Sequence, residues 1–369
     1  MNIYMVRNSL LSLIVFLSIN ARAQISINPG VDTSGVEVQK ALAFYKSYLA
    51  SFNGKSLPDF SKYWTAEELK ERKVPDQIIY AINESPLYSW MKKGTVLYIK
   101  PKPNYIHFKT QFSYADSSNN IATMAITNSY VAFDKDKPYF VSPIKINIAA
   151  WKQNKVRNIT FHYPPYHKFN AKRADSLVAD VIMLEKEWNL KPIDIKYYLA
   201  NTKDELDELR GFDFVVGMGN KDKPGGISDD IDNQVYCGGL GENYFHEVVH
   251  VYLNRLHPQS PLIEGLAVFY GGSMGRPVSW HLKRVNQYLE QHPEVDLNNL
   301  EDFWYTDPYT NPGSAIHGMI CHLIYDKGGF QALKKAMTYT ALEDIFEKEL
   351  HVAKGEWNRY LRAAIARYC

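Results

Sequence analysis

His246-Glu247-Val248-Val249-His250 places two imidazoles four residues apart, with a carboxylate beside the first. On a helix such positions lie one turn apart on the same face, so both rings can meet one cation. Glu247 is offset from that line, too far round to be a third ligand but placed to take a proton from metal-held water. Asn243 reads as the N-cap of this helix, which then runs through Tyr252 and Leu253. A catalytic zinc site takes three protein ligands and keeps a fourth position open, so one more ligand is expected from a neighbouring element. Pro258 stops the first helix at or before His257. Ser260 reads as the N-cap of a second, with Pro261 at its first position. Glu264 falls near the first turn of that helix and leads the small, apolar run Gly265 to Tyr270. A lone carboxylate heading a buried run is costly unless paired, and a zinc ion supplies the partner. The expectation is one Zn2+ held by His246, His250 and Glu264, with Glu247 as general base.

The elements that must position these groups fall into two grammars. Val36 to Phe52 has helical periodicity, a second helical piece covers Ala66 to Lys73, and Pro75-Asp76 restarts a third. Thr95–Lys100, Tyr105–Tyr114, Ile121–Phe133 and Tyr139–Ile146 are rich in Thr, Tyr, Ile and Val and read as an antiparallel meander. From about residue 151 strands and helices alternate: strand Ile159–Tyr163, helix Ala171–Trp188, strand Ile193–Leu199, and a helix capped by Thr202 that ends near Gly211. Gly217 to Asp232 holds four glycines and reads as a loop, Val235-Tyr236 as a short strand, and the remainder as almost wholly helical.

His-Glu-x-x-His followed by a helix carrying Glu264-Gly265-Leu266-Ala267 resembles the gluzincin metallopeptidases, the thermolysin and aminopeptidase N clan. Tyr309 to Ile316, leading into His317–Tyr325 and Gly328-Gly329, is similar to that clan's later active-site helix. Leu342 to Leu361, with Trp357 and Tyr360, is similar to its closing helices, and the resemblance covers residues 155 to 369. It implies that His246, His250 and Glu264 bind zinc and that Glu247 activates water and then protonates the leaving amine. It also implies a donor to the developing oxyanion, with Tyr309 as the candidate and Tyr305 and His317 as alternatives. Two departures stand out. Tyr309 is four residues before Gly313, whereas aminopeptidase-type members place the tyrosine three before a glycine. The Asp that follows the glutamate ligand by four in thermolysin is Val268 here, so the partner that orients a ligand histidine must come from elsewhere. Gly238 to Asn243 is superficially similar to the exopeptidase motif of aminopeptidase N but sits too close to the histidine pair to be the same element.

Composition bounds the rest. A chain of 369 residues fits two domains, and 42 basic against 40 acidic residues give no basic excess for a nucleic-acid or anionic-membrane surface. Cys237, Cys321 and Cys369 are too few and too far apart for a disulfide framework or a cysteine metal cluster; Cys237 and Cys321 read as core residues. Arg7, the apolar run Leu10–Ile19 and Ala21-Arg22-Ala23 before Gln24 read as a signal peptide. That run is too short for a span of roughly 20 residues.

These readings combine into an α+β fold of two domains: signal peptide 1–23, an N-terminal helix-plus-antiparallel-sheet accessory domain at 24–150, and a gluzincin-like catalytic domain at 151–369, mostly helical after the His-Glu-x-x-His helix. The expected protein is a secreted or periplasmic zinc metallopeptidase acting on a peptide or protein substrate, with no nucleic-acid partner and no membrane span after cleavage. Two rivals stay open: a catalytically silent, zinc-stabilised binding protein, and a zinc hydrolase of a non-peptide amide.

Overall fold

The computed structural model describes residues 24–51, 58–76, 93–219, 224–300, 303 and 309–368. The expected signal peptide, most of the helix expected after Pro75, Tyr305 and Cys369 lie outside these residues. The fold is mixed α and β with two sheets, and the described chain divides into two compact units. One draws on Met1–Ile146 with Arg210–Val216, the other on Asn147–Leu209 with Gly217–Cys369. No described helix is long and apolar enough to cross a membrane.

In the first unit the sheet runs β1 (Gln24–Ile27), β2 (Lys93–Lys102), β3 (Tyr105–Ala115), β4 (Ile121–Asp134), β5 (Lys137–Val141), with β9 (Phe212–Val215) also paired to β4. Alternation decides which face is dry: Ile106, Phe108, Thr110 and Phe112 of β3 point to the core. There they meet α1 (Val36–Ser51), whose Val38, Leu42, Tyr45 and Leu49 form the buried stripe expected of that helix. The buried Tyr45 hydroxyl is satisfied by Thr110 Oγ1 at 2.9 Å. The second helix, α2 (Ala66–Glu71), is capped by Thr65, whose hydroxyl accepts from Glu68 N–H. The strand expected at Tyr139–Ile146 is cut short: β5 ends at Val141, and α3 (Pro143–Asn147) opens with Pro143, which has no N–H for a ladder and a φ preset for a helical first turn.

In the second unit the sheet order is β10 (Gly225–Asp229), β11 (Gln234–Gly238), β8 (Ile195–Ala200), β7 (Ile159–Tyr163), β6 (Lys152–Val156). The three central strands are parallel and both outer strands antiparallel. Phe161, Tyr197, Val235 and Cys237 share one face and are buried with Leu177, Val181 and Leu184 of α4 (Ala171–Trp188) and Val248, Val249 and Val251 of α6 (Phe245–Leu253). Between them in sequence comes α5 (Lys203–Leu209), begun as expected by Thr202, whose hydroxyl accepts from Glu205 N–H. After α6 come α7 (Ile263–Gly271), α8 (Val278–Gln291), α9 (Pro312–Ala336), α10 (Leu342–Ile345) and α11 (Trp357–Arg367). The segment expected as a loop at Gly217–Asp232 contains β10 instead. Its glycines are there because side chains come too close: a Cβ at Gly225 would lie 2.6 Å from Lys203 Cδ.

Helix α6 is pinned at both ends. At its C-terminal end Tyr252 donates to the buried Glu185 Oε1 at 2.6 Å and accepts from Ile193 N–H and Asn158 Nδ2. Before its N-terminus, Glu242 is buried and accepts from His167 Nε2 at 2.9 Å and Asn170 N–H at 2.8 Å. Arg173 donates to Leu240 O and to Asn243 Oδ1. That last bond explains a correction: Asn243 does not cap α6, because its side-chain oxygen is taken by Arg173, and the capping position falls to Tyr244. Replacing Tyr252 by Phe leaves the Glu185 carboxylate one donor short, so urea unfolding is expected to show a loss of about 1–3 kcal/mol with an unchanged m-value; a change below about 0.5 kcal/mol, the scatter of ordinary surface substitutions, would contradict this anchoring role.

Candidate metal centre

All nine residues of α6 are buried, so its polar residues need specific partners. His246 Nδ1 lies 2.6 Å from Gly272 O. A carbonyl only accepts, so that nitrogen carries the proton and Nε2 points its lone pair the other way. His250 Nδ1 is matched in the same manner by Asn254 Oδ1 at 2.9 Å. The two freed Nε2 atoms face each other at 3.2 Å. Glu264, the second residue of α7, brings Oε1 to 3.5 Å from His246 Nε2 and Oε2 to 3.2 Å from His250 Nε2. One donor atom each from His246, Glu247 and His250 also falls within 4.8 Å of the others.

The two Nε2 atoms thus stand 3.2 Å apart, and each meets a different oxygen of the Glu264 carboxylate, at 3.5 and 3.2 Å. Ligands bonded at about 2.0–2.1 Å to a tetrahedral ion stand roughly 3.3 Å apart, so the donor set fits one small divalent cation. Both imidazoles are buried, whereas the Glu264 side chain is 45 % exposed and gives the centre its opening. Tyr244 fixes the His246 ring from one side, stacked at 12° with centroids 5.6 Å apart.

Close backbone approach makes this convergence possible. A Cβ at Gly271 would sit 2.4 Å from His246 N, and one at Gly265 2.6 Å from the His317 carbonyl carbon. These positions let α7 lie against α6 on one side and α9 on the other. Gly272 closes α7 at φ 67° and ψ −160°, a conformation essentially confined to glycine, and so turns its carbonyl toward His246. On the sheet side, a Cβ at Gly226 of β10 would lie 2.6 Å from Glu247 Oε1. Edge strand and general-base candidate are thus in direct contact.

The electrostatics show what the pocket demands. Burial disfavours a charged His250, but the hydrogen bond to Glu264, the charges of Glu247 and Glu264, and Asn254 outweigh it and push its pKa up to about 9. Burial likewise works to raise Glu264, but the His250 hydrogen bond, the two imidazoles and the Ser314 hydroxyl hold it down to about 2. A positive charge is wanted here: a proton without metal, or a metal ion in its place. His317 is brought down to about 4 by burial, against a smaller opposing effect of Glu264, and is neutral at pH 7.

His246, Glu247, His250 and Glu264 are brought together as the sequence anticipates. Helix α7 nevertheless starts at Ile263 with Leu262 as cap, not at Ser260. The Ser260 hydroxyl instead accepts from Leu262 N–H, forming a turn that ends the connection. Tyr309 stands in the turn before α9, two residues ahead of its cap Asn311. His317 lies one turn into α9, beside Gly265. Glu242, of the segment similar to an exopeptidase motif, is buried and its Oε1 accepts from both His167 and Asn170. The partners that orient the ligand histidines, Gly272 and Asn254, were not anticipated. Asn254 was readable, being four residues after His250; Gly272 acts through its backbone and leaves no side-chain signal. Cys237 and Cys321 are free and buried, as expected of core residues.

No protein-family model matches the chain, and neither curated proteins nor solved structures provide a match.

The His250 shift has a definite sign. Its stabilising contribution to the metal-free protein is complete below pH 6.5 and is lost as pH rises through about 9. Glu264 contributes fully above pH 4.5, and that contribution is lost as pH falls through about 2. Zinc binding at pH 7 must displace the His250 proton, so calorimetry in buffers of different ionisation enthalpy is expected to find release of at least about one proton per ion. Affinity should rise about tenfold per pH unit toward pH 9. Binding without proton release would contradict this protonation state.

Proposed function

We propose that the chain is an exported zinc peptidase of the gluzincin type, hydrolysing peptide bonds with Glu247 as general base. The observation that carries the reading is the convergence of His246 Nε2, His250 Nε2 and the Glu264 carboxylate at 3.2–3.5 Å, with the Glu247 carboxylate beside them. In this reading residues 151–369, apart from Arg210–Val216, which belong with the first unit, form the catalytic domain, 24–150 an accessory domain, and residues 1–23 the signal that directs it to a secreted or periplasmic location.

Bound zinc would polarise the scissile carbonyl and lower the pKa of its water to about 7. The protein's own groups do the remainder. Gly272 and Asn254 keep the ligand nitrogens aimed inward by holding the opposite ring nitrogens protonated. Glu247 takes the proton of the attacking water and delivers it to the leaving amine. No covalent enzyme intermediate is needed. Tyr309 is the proposed hydrogen-bond donor to the oxyanion. Strand β10 ends its sheet, so an extended substrate can pair along it and pass Glu247 at Gly226.

Purified chain from Gln24 to Cys369 should cut a mixed peptide library, and both chelation and Glu247→Gln should stop it. Glu247→Gln is expected to lower kcat at least about 100-fold with zinc content unchanged. Absence of cleavage by protein carrying one zinc per chain would overturn the peptidase reading and favour a silent binding protein or an enzyme of another amide. Gly226→Val tests the placement of Glu247 against β10: its side chain needs the space of the Glu247 carboxylate, so activity should fall while zinc stays bound. Retained activity would contradict the role of the Glu247 carboxylate at this position.

A further inference from the structure

We infer that the buried His281 is a positioning residue for the metal centre: it ties the backbone turn that orients His246 to the segment that carries Tyr309. This rests on the peptidase reading of that centre.

Helix α7 gives way at Gly272 to a tight turn. Ser273 N–H donates to Arg276 O at 2.9 Å and Arg276 N–H to Ser273 O at 2.8 Å, closing a two-residue loop. Its central residues, Met274 and Gly275, have φ of 51° and 71°. Left-handed backbone is strained for a methionine and persists only where the surroundings over-determine it. Three successive backbone groups do so here. Gly272 O accepts from His246 Nδ1, and Ser273 O accepts from His281 Nε2 at 2.9 Å. Met274 N–H donates at 3.3 Å to the hydroxyl of Tyr244, whose ring is stacked on His246. Two of these contacts bear on the zinc ligand His246, and His281 supplies the third.

His281 is the fourth residue of α8 and is 1 % exposed, so both ring nitrogens need partners inside the protein. A carbonyl only accepts, so Nε2 carries the proton shared with Ser273 O. A neutral ring then accepts at Nδ1 from the Thr310 hydroxyl, 3.1 Å away. Thr310 directly follows Tyr309. One imidazole thus joins the carbonyl beside Gly272 to the residue beside the proposed oxyanion donor. A histidine that merely filled space would need neither bond. These two run to segments holding different parts of the machinery.

The two nitrogens can be replaced one at a time. A glutamine amide reaches the position of Nε2 and can still donate to Ser273 O, whereas an asparagine amide reaches that of Nδ1 and can still accept from Thr310. His281→Asn is therefore expected to loosen the Gly272–Ser273 turn and weaken zinc binding about tenfold, the lower end of what losing a ligand's own partner costs. Competition with a chromogenic chelator measures this. His281→Gln should bind zinc as the wild type does. Fully zinc-loaded, it should lose at least about tenfold in kcat on a peptide with KM unchanged, because Tyr309 is misplaced. Thr310→Val removes the same bond from the other side, should reproduce the His281→Gln result, and does not depend on a His281 variant folding. Equal zinc affinity in His281→Asn and His281→Gln, or wild-type kcat in Thr310→Val, overturns the assignment. The chelator competition needs no turnover. A wild type that cleaves nothing, with His281→Asn still weaker for zinc than His281→Gln, would sink the peptidase reading and leave the role of His281 at the metal centre standing.

Discussion

Two imidazole nitrogens turned lone pair to lone pair, with a carboxylate across from both, form an arrangement that requires a positive charge between them. The 3.2 Å separation of His246 Nε2 and His250 Nε2 would be repulsive if both stayed bare, and Glu264 deepens the demand for a cation. In water such groups would move apart. Here they cannot, because each ring is fixed from behind: His246 by Gly272 O and the Tyr244 ring, His250 by Asn254.

Backbone proximity is how that is done. Helices α6, α7 and α9 approach at glycines, and a methyl group at Gly271 or Gly265 would meet the backbone of His246 or His317 and force these helices apart. Along its own axis α6 is held by networks that are polar but buried: Glu185 with Tyr252 and Arg157 at one end, Glu242 with His167 and Asn170 at the other. Such networks are costly when incomplete and rigid when satisfied, which suits a site whose ligands have to be preorganised.

How much of this could be read from the chain alone follows from the range of each interaction. The His246–His250 pair is local, set by helical repeat alone, and Glu264 announces itself as a carboxylate opening a small apolar run. Strand Ile159–Tyr163 and helix Ala171–Trp188 were legible to the residue, the strand as a short β-branched and aromatic run and the helix because Ala174, Leu177, Val181, Leu184 and Trp188 recur at helical spacing. What failed depended on distant parts of the chain. Strand β10 reads as a loop because its glycines serve contacts with Glu247 and Lys203, not turns. Strand β9 is short and finds its partner, β4, only through long-range pairing. Asn243 has the chemistry of a cap but is claimed by Arg173 from another helix. Gly272 works through a carbonyl, which every residue has.

X-ray absorption at the zinc edge, on the metal-loaded chain, tests the central claim most directly. The account predicts one zinc per chain with two imidazole nitrogens and carboxylate or water oxygens at about 2.0–2.1 Å, and loss of the imidazole signal in His250→Ala. A sulfur shell, or an unchanged spectrum in His250→Ala, would place the metal elsewhere and contradict it.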